Sequence, residues 1–376
     1  MARVLDQTFA FGSELGPGWK GKKILGKGDF GIVSLWEYVG DEAKTPAITQ
    51  IVVKQTYGKP PPDPFFENRV MKQLSIGKSK HIVRQYRDAY EAQFARGKSF
   101  VGIYLEYCPG GDLTVFLDPL QSLIPSSKLK KDLLLEVDLW AMFFCLASAV
   151  AFIARGTEDF NAAPVLQGLF STELVHLDIK PDNIFLGNRD EDHVRYPILK
   201  VGDFGSARSE AKNQTKSEFS KIIPDIGGAA GWRAPEYGKE AKNMRNPRRG
   251  ACSNIFQIGC IMHALLMLEK KYPALTKSSP WQGPFRGNNL QRGQAKYTHG
   301  QDLFRQQWAA LYSNTLRELI MECLMFEPDD RPLPGDLQRR VAAGLDASKA
   351  AAETLKLFEN NQNPPVKSFE HIAIVG

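Results

Sequence analysis

One short stretch near the middle of the chain combines the residue types that phosphate and metal chemistry requires. Asp178, Lys180 and Asn183 lie close together on a predicted loop, and Asp203 follows twenty residues after Asn183 at the end of a predicted strand. Carboxylate and amide oxygens are hard ligands that suit Mg²⁺, so we predict a divalent cation at Asn183 and Asp203. Asp178 is then free to orient a hydroxyl group and accept its proton. Lys180 can stabilise the negative charge of a phosphoryl group in transfer.

A glycine-rich segment near the N-terminus offers a second element for phosphate binding. Gly26, Gly28 and Gly31 form a GxGxxG pattern that Val33 follows. Glycine allows backbone N–H groups to approach phosphate oxygens closely, where a Cβ atom would intrude. The pattern precedes a predicted strand and lacks a GK[ST] ending, so it fits neither a dinucleotide-binding nor a P-loop fingerprint. Taken alone, such a pattern is more often an ordinary turn.

A lysine and a glutamate form the third candidate pair. Lys54 ends the apolar run Ile51–Val53, and apolar residues at helical spacing predict a helix over Asp63–Ile76 that contains Glu67. A lysine at the end of a buried strand needs an anion, so we predict an ion pair with Glu67 that orients Lys54 toward phosphates. The alternative is a surface lysine whose ammonium group extends to solvent.

The elements that position these residues change character along the chain. Strands are predicted first, at Gly26–Trp36, Ile48–Lys54 and Val101–Tyr107. Long helices follow, and they are predicted at 133–154, 255–268 and 311–325. We therefore expect an α+β protein. Its predicted divisions are an N-terminal arm at 1–18, a sheet-rich lobe at 19–106, a larger helical lobe at 107–344 and a C-terminal tail at 345–376.

The composition excludes several classes of protein. The chain has 376 residues, of which 43% are hydrophobic and 24% are charged, with a net charge of +6. These values exclude a fibrous or wholly disordered protein, and the mild charge gives no expectation of nucleic-acid binding. The longest apolar run, Leu139–Ala154, has sixteen residues and favours a buried helix over a membrane span. The N-terminus lacks the apolar core of a signal peptide, so we expect an intracellular, cytoplasmic protein.

The cysteines and one basic run carry weaker signals. The five cysteines are widely spaced and none forms a CxxC pair, so neither a zinc site nor a disulfide framework is expected. The run Lys239–Arg249 contains five basic residues and one acidic residue. Its favoured interpretation is a solvated loop. Docking of acidic substrates, or a signal that would direct the protein to the nucleus, is the alternative.

In this order and spacing, the motifs resemble the signature set of the eukaryotic protein kinase family across residues 19–344. His176-Leu177-Asp178 matches the start of the catalytic loop, Asp203-Phe204-Gly205 the DFG motif, Ala234-Pro235-Glu236 the APE motif, and Arg331 the arginine that pairs with it. The resemblance implies a bilobal fold with a small antiparallel-sheet N-lobe, one key helix within that lobe, and a larger, mostly helical C-lobe. It also implies ATP and Mg²⁺ or Mn²⁺ as cofactors, and protein substrates with a serine or threonine acceptor.

The resemblance further assigns residues to the nucleotide. With the three glycines and Lys54, these predicted contacts are Val33, Val52, Leu105, Glu106, Cys108, Asp112 and Phe185. Leu105 matches the gatekeeper, and Lys180, two residues after Asp178, resembles the serine/threonine branch. His176 is expected to pack beneath Phe204 as a structural histidine.

Four residues depart from the family pattern. Leu177 replaces the arginine that binds an activation-loop phosphate, and Asn254 replaces an aspartate that anchors the loop. Ala229 replaces a threonine that links Asp178 to Lys180, and Trp232 stands where tyrosine is commoner. We therefore expect that phosphorylation does not act through Leu177. The sites considered are Ser209, Thr215, Ser217 and Ser220.

These departures leave two alternatives to an active protein kinase. One is a pseudokinase that binds nucleotide as an interaction module without useful transfer. The other is a small-molecule kinase of similar shape, which Glu236 and Arg331 disfavour because such enzymes generally lack an APE segment and its arginine partner.

Overall fold

The computed structural model describes most of the chain, in several ranges. These are residues 15–28, 31–57, 65–93, 99–122, 134–159, 161–163, 172–212, 228–268, 279–280, 297–304 and 311–359. The chain divides into two compact units. The first comprises Met1–Lys78 and Val83–Pro109, and the second comprises Ser79–Ile82 and Gly110–Gly376.

Among its described residues, the first unit contains a five-stranded antiparallel sheet and one α-helix. In chain order its elements are β1 (Trp19–Gly28), β2 (Gly31–Tyr38), β3 (Gln50–Tyr57), α1 (Phe66–Ile76), β4 (Gln85–Gln93) and β5 (Ser99–Leu105). The strands lie in the order β1-β2-β3-β5-β4. Antiparallel pairing and the single helix agree with the predicted small lobe.

Alternation along the strands gives this sheet two different faces. Trp36, Ile51, Val53 and Tyr104 form a buried cluster on one face. On the other face Lys54 lies opposite Val33 on β2 and opposite Ile103 on β5. The register therefore places Lys54 on an apolar surface, on the face opposite the aromatic cluster.

The second unit is mostly helical. Its elements are α2 (Leu113–Ser122), α3 (Glu136–Arg155), β6 (Thr172–Val175), β7 (Ile184–Leu186), β8 (Leu199–Val201), β9 (Arg208–Ala211), α4 (Ala251–Met267), β10 (Ser279–Pro280), β11 (Tyr297–Thr298), α5 (Asn314–Cys323) and α6 (Pro334–Glu359). β6 pairs with β9, and β7 pairs with β8. The predicted long helices are all present, with ends shifted by a few residues.

The central helix α3 explains the long apolar run. Among the described residues it is the one helix with the length and hydropathy to cross a membrane, and 83% of its apolar window is buried inside the protein. α3 packs against both α4 and α6. The run is therefore a core helix, as the sequence indicated.

Part of the predicted domain division lies outside the description. Residues 1–14 of the arm and 360–376 of the tail are not among the described residues. α6 continues without interruption through the predicted boundary between 344 and 345. The lobe and tail boundaries therefore stay predictions.

Candidate active site

The loop between β6 and β7 brings together two of the predicted catalytic residues and one of the predicted cation ligands. Nζ of Lys180 and Nδ2 of Asn183 each lie 2.9 Å from Oδ2 of Asp178. The other oxygen, Oδ1, accepts a hydrogen bond of 2.8 Å from the backbone N–H of Ala229. The Asp178 carboxylate is thus held at both oxygens, with only 13% of its side chain exposed.

The predicted cation ligands are joined through the backbone. Nδ2 of Asn183 also donates to the Asp178 carbonyl at 2.7 Å, so both of its hydrogens are used and Oδ1 is the atom left to bind a cation. The N–H of Gly202 donates to the Asn183 carbonyl at 3.1 Å, which ties the next residue, Asp203, to the same loop. Asp203 is exposed and adopts a left-handed conformation with φ 59°. One amide oxygen and one exposed carboxylate form a donor set that fits Mg²⁺.

His176 lies directly beneath the DFG segment. Its imidazole is fully buried and its ring centroid lies 4.5 Å from that of Phe204, in agreement with the predicted packing. Nε2 lies 3.0 Å from the Gly202 carbonyl, and Nδ1 accepts from the N–H of Asp178 at 3.3 Å. Burial lowers the pKa of His176, which favours the neutral ring that this bonding pattern needs. Gly205, the last residue of the motif, donates its N–H to Asp203 at 3.3 Å.

Asn254 on α4 makes hydrogen bonds to the end of β6 and to the start of the loop that follows it. Its Oδ1 accepts from the N–H of His176 at 2.9 Å, and its Nδ2 donates to the Leu174 carbonyl at 2.9 Å. Asn254 is completely buried. A neutral amide therefore satisfies one donor and one acceptor, whereas an aspartate in its place could only accept.

Leu177 turns inward, away from any role in phosphate binding. The side chain is 2% exposed, and the backbone has φ 67°. Gly228 packs against this residue with φ 94°, and a Cβ at that position would overlap the Leu177 carbonyl oxygen. Ser209 is exposed on β9, while Thr215, Ser217 and Ser220 lie outside the described residues.

Glu236 and Arg331 form a completely buried ion pair. Two guanidinium nitrogens of Arg331 lie 2.7 and 2.8 Å from the two Glu236 oxygens, and both side chains are 0% exposed. Ser253 Oγ also donates to Glu236 at 2.6 Å. Although burial acts in the opposite direction, Glu236 raises the pKa of Arg331. The pair therefore joins the segment before α4 to the segment before α6 as a fixed charge pair.

In the first unit, Lys54 and Glu67 form the predicted ion pair. Nζ of Lys54 on β3 lies 2.7 Å from Oε1 of Glu67 on α1, with 19% and 11% of the two side chains exposed. Val52 and Leu105 lie opposite each other on the same sheet face as Lys54. The alternative of a surface lysine whose ammonium group extends to solvent is wrong, because the ammonium group of Lys54 contacts a carboxylate within the fold.

The three glycines of the segment lie in the paired strands β1 and β2. Gly26 pairs with Val33, and Gly28 pairs with Gly31. A Cβ on Gly31 would overlap the carbonyl oxygen of Gln55 on β3, whereas none of the described atoms would obstruct a Cβ on Gly26. Gly31 is therefore required by strand packing itself, and residues 29–30 lie outside the described part of the chain.

The remaining predicted nucleotide contacts occupy defined positions in their own units. In the first unit the N–H of Glu106 donates to the Arg84 carbonyl at 2.8 Å, and Cys108 is buried. In the second unit Asp112 forms a bridge with Phe185. Asp112 also accepts from the N–H of Thr114 at 2.9 Å, which caps α2. The sequence indicated a ribose contact at Asp112 but not this capping role.

The basic run is only in part the solvated loop that the sequence favoured, because its two lysines are exposed but its arginines make contacts within the fold. Arg245 lies 3.2 Å from Asp330, and Arg248 lies 2.7 Å from Asp329. Arg249 is buried and its guanidinium lies 5.2 Å from the Tyr237 ring centroid. Two arginines of the run are thus paired with the acidic turn that precedes Arg331.

A sheet-bearing unit with a strand lysine paired to a helix glutamate, and a helical unit with this loop, define the protein kinase class of phosphotransferase. The family model for the protein kinase domain matches residues 19–340, and the chain belongs to this family.

Curated relatives include the G2-specific protein kinase nimA of Emericella nidulans, 26% identical over 65% of this chain. The G2-specific protein kinase fin1 of Schizosaccharomyces pombe is 25% identical over 71% of it. The CDPK-related kinase 4 of Arabidopsis thaliana is 26% identical over 76% of it. The matches cover 30%, 31% and 40% of these three relatives, so the chain spans less than half of their length.

Proposed function

We propose that this chain is an active serine/threonine protein kinase that transfers the γ-phosphoryl group of ATP to hydroxyl groups of protein substrates. The observation that supports it best is the bonding of Asp178, whose Oδ2 lies 2.9 Å from both Lys180 and Asn183. These bonds fix the carboxylate of the predicted base beside the ammonium group of Lys180, which can stabilise the charge of the phosphoryl group. The curated relatives named as protein kinases favour the same reaction.

The proposed transfer uses Asp178 as a general base. The substrate hydroxyl gives its proton to Asp178, its oxygen forms a bond to the γ-phosphorus, and the bond between that phosphorus and the bridging oxygen breaks to release ADP. Positioned proton transfer contributes about 10²–10⁴ in rate. Lys180 stabilises the negative charge that develops on the transferred group.

Two further sets of residues serve the nucleotide in this proposal. Oδ1 of Asn183 and the Asp203 carboxylate would hold Mg²⁺ or Mn²⁺, which when bound neutralises charge on the phosphates. Lys54, oriented by Glu67 at 2.7 Å, contacts the α- and β-phosphates. Because Glu67 balances the charge of Lys54, the ammonium group keeps one orientation when no nucleotide is present.

The pseudokinase alternative depends on Leu177, Ala229 and Asn254. Against it, the Ala229 backbone N–H provides a bond to Asp178 at 2.8 Å where the threonine hydroxyl is missing. Asn254 makes two bonds of 2.9 Å to the loop despite its lack of charge. Leu177 packs inside the core. The replacement of the family's arginine by this leucine therefore removes a contact to a phosphate without disturbing Asp178.

The direct test compares phosphoryl transfer from Mg²⁺-ATP to a generic protein substrate by the wild type, by Asp178→Asn and by Glu353→Gln. Glu353 is an exposed carboxylate on α6 and serves as the matched control. We expect transfer by Asp178→Asn to fall about 10²–10⁴-fold while Glu353→Gln keeps the wild-type rate. Equal background transfer by the wild type and Asp178→Asn would favour the pseudokinase.

A further inference from the structure

Three possible metal ligands from distant parts of the sequence meet inside the helical unit. They are His81, which precedes β4, Cys145 on α3, and His193 on the loop between β7 and β8. All three side chains are buried, and their ligand atoms lie within 4.8 Å of one another. Sγ of Cys145 lies 3.3 Å from Nε2 of His193.

Each histidine of this cluster has a carboxylate on its outer nitrogen. Nδ1 of His81 lies 3.0 Å from Oε2 of Glu158, and Nδ1 of His193 lies 2.5 Å from Oδ1 of Asp190. A carboxylate at each Nδ1 holds a proton there, so Nε2 is the nitrogen that a metal would bind, with displacement of any proton on it. Metal-binding histidines are oriented by hydrogen bonds of this kind, which also raise their basicity.

One buried atom in the cluster needs a partner. Nε2 of His81 makes no hydrogen bond of good geometry among the described residues, although the side chain is 0% exposed and interacts electrostatically with the Cys145 thiol. A buried polar atom that lacks a well-formed hydrogen bond is unfavourable. Because this atom belongs to the same group as Sγ of Cys145 and Nε2 of His193, a single bound cation would satisfy it.

We propose that His81, Cys145 and His193 form a binding site for a divalent transition metal of the zinc type. Zinc bonds of about 2.3 Å to sulfur and 2.0–2.1 Å to nitrogen place tetrahedral ligand atoms about 3.4–3.6 Å apart. The cluster therefore needs only a small side-chain movement to bind the ion.

A cavity of about 470 Å³ lies beside the cluster and is lined by both histidines and by Glu158, Tyr196 and Gln338, whereas Cys145 does not line it. Three protein ligands differ from the closed four-ligand sites that are typical of structural zinc. The bound ion would tie the loop before β8 and the segment before β4 to the central helix.

Cys145 supplies the sulfur ligand, which binds metals as the thiolate. Its Sγ lies within 4.8 Å of a ligand nitrogen of each histidine, whereas the four other cysteines, although also buried, are not part of the cluster.

Sequence spacing gave no sign of this site. His193 follows Cys145 by 48 residues, whereas zinc motifs are recognised by pairs of ligands a few residues apart. Glu158, Asp190 and His193 also come from two different connecting segments, the first after α3 and the second between β7 and β8. The proposed site therefore disagrees with the sequence-based expectation that the protein has no zinc site.

The test measures metal binding by the full chain after treatment with a chelator. Calorimetric titration with Zn²⁺ in excess Mg²⁺, which occupies oxygen-ligand sites, is expected to give about one Zn²⁺ per chain. Co²⁺ in place of Zn²⁺ is expected to give the thiolate-to-metal absorption band in the near ultraviolet. Cys145→Ser removes both signals, and Cys260→Ser, at a buried cysteine on α4, keeps them.

A second variant covers the case in which Cys145→Ser does not fold. Asp190 is 33% exposed and contacts the metal only through His193, so Asp190→Asn is expected to fold and to weaken Zn²⁺ binding about 10–100-fold. Loss of Zn²⁺ affinity in Asp190→Asn together with the cobalt band would establish the site. If the wild type binds no Zn²⁺, or if Asp190→Asn and Cys145→Ser bind it unchanged, the cluster is a hydrogen-bond network and the proposal is wrong.

Discussion

The backbone N–H of Ala229 donates a hydrogen bond of 2.8 Å to Oδ1 of Asp178. Members of the family usually carry a threonine at this position, whose hydroxyl links the catalytic aspartate and lysine. Here a main-chain donor that any residue except proline possesses fixes the carboxylate. Replacement of the threonine by Ala229 therefore removes the hydroxyl link and keeps the backbone hydrogen bond to Asp178.

The contribution of this bond is testable with proline. Ala229 has φ −74°, which proline adopts, so Ala229→Pro deletes the donor, and the ring Cδ that replaces the hydrogen also displaces Oδ1 of Asp178. A hydrogen bond to a charged group contributes about 1.5–3 kcal/mol, and the displacement adds to this loss, so we expect the transfer rate to fall at least about 10-fold. Steady-state kinetics with saturating ATP measures it.

The matched variants at this position are Ala229→Ser and Ala229→Thr. Both keep the N–H, and each is expected to retain at least the wild-type rate, with Thr regaining the hydroxyl link. An unaltered rate in Ala229→Pro would mean that Lys180 and Asn183 alone hold Asp178.

Lys54 is expected to act on transfer rather than on folding. Its Nζ lies 2.7 Å from Glu67, with 19% of the side chain exposed. Lys54→Met keeps the length of the side chain and removes the charge, and loss of one preorganised electrostatic contact lowers rates by about 10²–10³. Transfer assays measure this effect, and circular dichroism checks that the fold is kept.

Lys44→Met provides the comparison, because 80% of the Lys44 side chain is exposed in a surface turn. We expect Lys44→Met to retain the wild-type rate. Equal rates for Lys54→Met and the wild type would show that the Lys54–Glu67 pair is only structural.

The parts of the site that the sequence predicted are those with local signals. Lys54 and Glu67 were placed by strand and helix periodicity, and the loop at 176–183 by its order of residue types. The strand Gln85–Gln93 was missed because its polar residues hide the alternation of a half-buried strand.

Interactions over long sequence separations left no such signal. Arg245 and Asp330 are 85 residues apart, so the basic run resembled a solvated loop although one of its arginines pairs with this distant carboxylate. A backbone donor such as the Ala229 N–H has no sequence signature, since nearly every residue carries one.

The buried pair of Glu236 and Arg331 is expected to control stability. Both side chains are 0% exposed, and removal of one partner from a buried pair costs about 3–5 kcal/mol because the other charge remains without compensation. We expect Glu236→Ala to lower the free energy of unfolding by about this amount in a urea titration.

The exposed pair of Lys22 and Glu37 gives the contrast. Its side chains are 52% and 29% exposed, so Lys22→Ala is expected to cost about 0–1 kcal/mol. Similar losses in Glu236→Ala and Lys22→Ala would contradict the importance of burial for the first pair.

Acid sensitivity is expected from His299, which packs at 5.7 Å from the Phe256 ring. Burial first, and then Arg331, lower the pKa of His299 from 6.5 to about 4. Between these values the unfolded chain binds a proton that the folded chain does not, so stability falls as pH falls through this window. The difference in pKa corresponds to a loss of about 3 kcal/mol in the free energy of unfolding by pH 4.

The test measures the free energy of unfolding in urea at intervals from pH 7 to pH 4. It is expected to decline less steeply for His299→Gln, whose side chain does not titrate, than for the wild type. Parallel declines in the two proteins would assign the acid sensitivity to other groups.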